Sequence, residues 1–160
     1  MDNCPKLLNA SVAIAHAVLM NFAELPQNWP ELPLTDPQLA SGVLDLVIPE
    51  SARACGAIGV LLLDTHDRLL QPVVIDLTDD GPGADREALF APYAMVLRTN
   101  EPSGALLVGV ARAEGLSLTA DDTAWQLAAQ QACGSAPRLL GVHLLTCHGS
   151  REMPAPRKAA

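Results

Sequence analysis

Apolar residues at Leu7, Leu8, Val12, Ala15, Val18, Leu19 and Phe22 recur at helical spacing, which predicts an amphipathic helix over residues 5–24 with Pro5 in its first turn. Residues 25–37 then hold Pro26, Pro30, Pro33 and Pro37, a density no regular element tolerates, and read as an extended connector pinned by Trp29. Asp36-Pro37 can start a short helix, and residues 43–48 are apolar enough for either a strand or that helix's continuation. Two further apolar runs, residues 57–63 and 69–77, flank Asp64-Thr65-His66-Asp67-Arg68 and predict a β-hairpin. Their unbroken hydrophobicity implies strands covered on both faces, hence helices on each side of a sheet.

The second half repeats the alternation. Residues 79–83 read as a loop, and Asp85 can cap a helix running toward Arg98, kinked or restarted at Pro92. Residues 105–110 form an apolar strand. Thr119 with Asp122 opens a helix through about Ala132, whose Trp125, Ala128 and Ala132 share a face. Residues 139–147 read as a last strand, and 151–160 as a polar, disordered tail. The order predicts an α/β fold, a mixed β-sheet flanked by helices on both faces with an added N-terminal helix.

A length of 160 residues suits one full core. Apolar residues make up 49% but aromatics only 3%, so that core rests on Leu, Val, Ile and Ala. The net charge of −8 argues against nucleic acid, since few cations mean little counterion release, and against anionic membrane surfaces. Ala15-His16-Ala17 imitates a signal-peptide cleavage site, but Asp2, Asn9 and His16 interrupt the pattern, and no stretch reaches the length of a membrane span. Cys4, Cys55, Cys133 and Cys147 lack zinc-ribbon spacing and read as free thiols of a cytoplasmic protein.

Candidate chemistry is sparse. Thr119-x-x-Asp122 matches a helix cap, and Asp121 and Asp122 sit where the helix dipole favours acids. His143, Cys147 and His148 form the most ligand-like cluster, with Cys133 approaching from the preceding helix, but His143 and Cys147 on one strand would lie about 13 Å apart. Asp64 and Asp67 around His66 are explained by turn chemistry. Asp76, Asp79 and Asp80 lack EF-hand spacing. Nucleotide-binding glycine motifs, a GxSxG elbow and a zinc-deaminase signature are absent.

The phrases VLLLDTHDRLLQPVVIDL, ALLVGV, TADD and LLGVHLLTCHG, spread over residues 50–150, resemble the RadC-like branch of the JAB/MPN (JAMM) domains. The resemblance implies cytidine-deaminase-like layering, with residues 1–49 packed on the 50–150 domain as an N-terminal helix and connector. Enzymes of the family hold zinc with two histidines one residue apart and an aspartate, and a glutamate handles the proton of the bound water. Thr119 and Asp122 match the family's serine and aspartate positions, and Glu50 corresponds loosely to its glutamate. The histidine stretch reads Gly109, Val110, Ala111, Arg112, Ala113, and no histidine occurs between His66 and His143. One carboxylate cannot hold catalytic zinc, which needs three protein ligands and an open position.

The resemblance therefore implies a degenerate, non-catalytic member without metal or cofactor, acting through a protein partner or itself as a possible homodimer, with Trp29 as a candidate anchor. Two alternatives stand beside it: a metal-dependent hydrolase with a displaced site built from Asp122, Cys133, His143, Cys147 and His148, and a small-molecule binder using a cleft beside residues 109–118.

Overall fold

A computed structural model describes residues 25–77 and 85–155. The expected helix over 5–24, the loop over 79–83 and the tail beyond 155 lie outside the described residues.

The predicted hairpin forms. Strand β1 (Ala57–Leu63) runs antiparallel to β2 (Leu69–Asp76), with Val60 opposite Val73. Asp64 shapes the turn: its Oδ1 accepts from the backbone N–H groups of His66 (2.8 Å) and Arg68 (2.9 Å). Asp67 takes a left-handed conformation at φ 62°, which its short polar side chain tolerates, so turn chemistry accounts for both acids.

β3 (Ala105–Ala111) pairs antiparallel with the other side of β1, and β4 (Arg138–Thr146) pairs parallel with β3. β5 (Gly149–Glu152) closes the order β2-β1-β3-β4-β5, a five-stranded mixed sheet. Among the described residues four α-helices accompany it: α1 (Pro37–Val47), α2 (Glu50–Cys55), α3 (Arg86–Asn100) and α4 (Ala120–Cys133). The last of these supplies the crossover that parallel neighbours require.

The starts of α1 and α3 follow from their capping residues. The Asp36 carboxylate accepts from Gln38 N–H ahead of Pro37, and Asp85 caps α3 through Glu87 and Ala88 N–H. Residues 43–48, readable as strand or helix, continue α1 as far as Val47. Helix α3 continues through Pro92 as one element.

Two apolar layers sandwich the sheet. On one face Phe90, Leu97, Trp125 and Ala129 of α3 and α4 meet Val60, Val108 and Leu144. Phe90 and Trp125 pack edge to face with ring centroids 6.0 Å apart. On the other face Val43, Leu44 and Ile48 cover Leu61, Leu107 and Leu145. Here α1 approaches very closely, over a pair of glycines facing each other across β1 and β3. A Cβ on Gly59 would lie 2.5 Å from Ile48 Cδ1, and one on Gly109 3.0 Å from the same atom.

Four expectations need correction. β2 is not covered on both faces; it is an outer strand, and Leu70 and Val74 are exposed. Pro72 there lacks an N–H to offer a further strand, a common feature of sheet edges. β4 is not the last strand, and the tail does not start at Arg151: Arg151 and Glu152 belong to β5, and Met153 is buried against the α3–α4 layer. The connector is not wholly irregular, because Trp29–Glu31 forms one turn of 3₁₀-helix with Pro30 in its first turn. Finally, Cys55 is disulfide-bonded, a bond typical of oxidising compartments, whereas Cys133 and Cys147 are free thiols. Among the described residues no helix is long and apolar enough to cross a membrane.

Candidate functional site

Strand β3 ends where α4 begins to be capped, and two residues from these elements meet there. Thr119 and Asp122 form a reciprocal capping box: Thr119 Oγ1 accepts from Asp122 N–H at 3.2 Å, and Asp122 Oδ2 accepts from Thr119 N–H at 2.9 Å. The Asp122 side chain is fully buried, so its charge needs a partner. Arg112 provides it as a fork, with Nε donating to Oδ1 and Nη2 to Oδ2, each at 2.8 Å.

The rest of the guanidinium is also satisfied. Nη1 donates to the carbonyls of Ala113 (2.9 Å) and Gly115 (3.1 Å), and Nη2 to that of Ser117 (2.9 Å). Arg112 thus folds the loop after β3 around itself and fixes it to α4. Burial alone would raise the Asp122 carboxyl, but the Arg112 hydrogen bonds, the Thr119 N–H and the nearby guanidinium charge together hold it below the usual carboxylate range. In turn the Asp122 hydrogen bond raises Arg112. The pair stays ionised at neutral pH.

Gly109 and Ala111 face packed apolar material. A Cβ on Gly109 would meet Leu145 at 2.9 Å, Ile48 at 3.0 Å and Leu44 at 3.1 Å, and Ala111 is buried in the α1–α2 layer. A larger side chain at 109 would have to displace α1.

The alternative ligand set is dispersed. Asp122 is held by Arg112. Cys133 is buried in the α3–α4 layer, where desolvation, opposed by the charge of Arg98, pushes its thiol up to about 11. His143 faces the opposite side of the sheet, where its Nδ1 lies 3.1 Å from Ser41 Oγ on α1, and burial lowers it to about 4. Cys147 and His148 are exposed in the turn between β4 and β5. Among the described residues no group of three or more His, Cys, Asp or Glu could hold a metal ion. Glu50 is exposed at the start of α2, and Trp29 is half-buried against the α1–α2 layer rather than standing free.

Several polar groups that organise this region carried no sequence signal as sites. Arg53 on α2 is buried and donates to Asp45 Oδ1 (2.6 Å), Ile48 O (3.2 Å) and Thr146 O (3.3 Å), joining α1, α2 and β4. Arg86 pairs with Asp121 and lies 5.2 Å from the Trp125 ring centroid, tying the starts of α3 and α4 together. Ser41 and His143 are 102 positions apart, so no local pattern joins them. A cavity of about 800 Å³ opens beside them between α1, β5 and the connector, away from the expected cleft near residues 109–118. No family model, curated protein or solved structure matches the chain.

Proposed function

We propose that the chain is a non-catalytic domain of JAB/MPN-like type that works by contact, as a self-association module. The observation that carries this reading is the Arg112–Asp122 fork. The carboxylate that would be a metal ligand in a zinc-bearing relative is committed to an internal guanidinium and the Thr119 N–H, with its side chain fully buried. The packing at Gly109 and Ala111 supports the same view, because Leu44, Ile48 and Leu145 fill the space that imidazoles would need. The succession of hairpin, helix, strand, helix and strand in one mixed sheet agrees with the layering that the resemblance implies.

A contact function needs a surface, and the outward side of α3 and α4 supplies one. Ala88, Ala91, Pro92, Met95 and Val96 are exposed along α3, and Leu127 is exposed on α4. Met95 is 63% exposed and Leu127 49%, large values for apolar side chains. Between Glu87 and Arg98 no charged residue interrupts α3. Two copies that each carry −8 repel one another over most of their surfaces, and a charge-free apolar face lets them approach. In this reading the occupant is a second copy, with a two-fold axis bringing the same face of each chain together. Light scattering behind size exclusion tests it, comparing the intact chain with Met95→Asp.

A further inference from the structure

We draw no further inference here: the strongest candidate, the apolar surface patch of Leu70, Pro72 and Val74 on the outer strand β2, rests on exposure alone, and nothing in the structure shows what covers it.

Discussion

Arg112 grips both carboxylate oxygens of Asp122 at 2.8 Å, across the gap between the end of β3 and the first turn of α4. Asp122 is simultaneously the inner member of the α4 capping box. Removing the arginine therefore strands a buried charge, and Arg112→Met should cost about 3 kcal/mol. Replacing both partners by apolar residues, as in Arg112→Met with Asp122→Leu, should recover a large part of that loss. Urea unfolding of the three variants measures both effects. A cost below about 1 kcal/mol for Arg112→Met would mean that the pair is held as loosely as a surface ion pair.

The glycine floor beneath α1 predicts a second loss. Gly109→Ala should destabilise by about 2 kcal/mol, because its Cβ would press on Ile48 and Leu44 in a filled layer. Ile48→Val removes the Cδ1 atom that a Cβ at 109 would meet at 3.0 Å, so the double variant should be more stable than the sum of the single changes allows. Thermal or urea melts of the four-member cycle give the coupling.

His143 predicts a pH dependence. Its folded value of about 4 lies below the ordinary 6.5, so the unfolded chain binds the extra proton first. Stability should rise by about 3 kcal/mol between pH 4 and pH 6.5, and this group should contribute no slope above that window. His143→Asn should flatten the rise. Below pH 3.8 the sign of the argument changes residue but not direction. Asp122 and Asp64 are held under that value, and the stability they supply is lost as pH falls through their folded values.

The two free thiols should differ sharply. Cys147 is exposed and should react with a thiol reagent in the native protein at pH 8. Cys133 is buried and pushed up to about 11, so it should react only on unfolding. Fast native labelling of Cys133, read by mass spectrometry, would contradict its placement between α4 and the sheet.

At the α3–α4 face, the intact chain should run as a dimer in light scattering, and Met95→Asp should run as a monomer with an unchanged melt. A chain that is monomeric at high concentration would remove self-association as its function.

Much of the fold was legible because it rests on short-range rules. The hairpin over 57–77, the Asp36, Asp85 and Thr119 caps and the crossover helix all follow from periodicity and capping residues within a few positions. The edge position of β2 was not legible, because a run of apolar residues does not say whether a neighbouring strand or solvent lies beside it. β5 was missed because Gly149-Ser150-Arg151-Glu152 has no strand propensity of its own and forms by pairing with β4.

The candidate site was half legible. Thr119 and Asp122 stand out at capping spacing, but Arg112 lies ten positions before Asp122, beyond the reach of any capping pattern. A lone arginine at the end of an apolar strand, preceding an aspartate that must be buried in a helix's first turn, was the available clue. Ser41 and His143 could not be joined by spacing, since the packing of α1 on the sheet brings them together.

Zinc titration calorimetry on the intact chain and on Asp122→Asn tests most directly whether Asp122 serves the fold or a metal. With the carboxylate committed to Arg112, the two proteins should give the same heats and no stoichiometric site that depends on Asp122. One equivalent of tightly bound zinc in the intact chain, lost in Asp122→Asn, would contradict the reading of this pair as an internal lock.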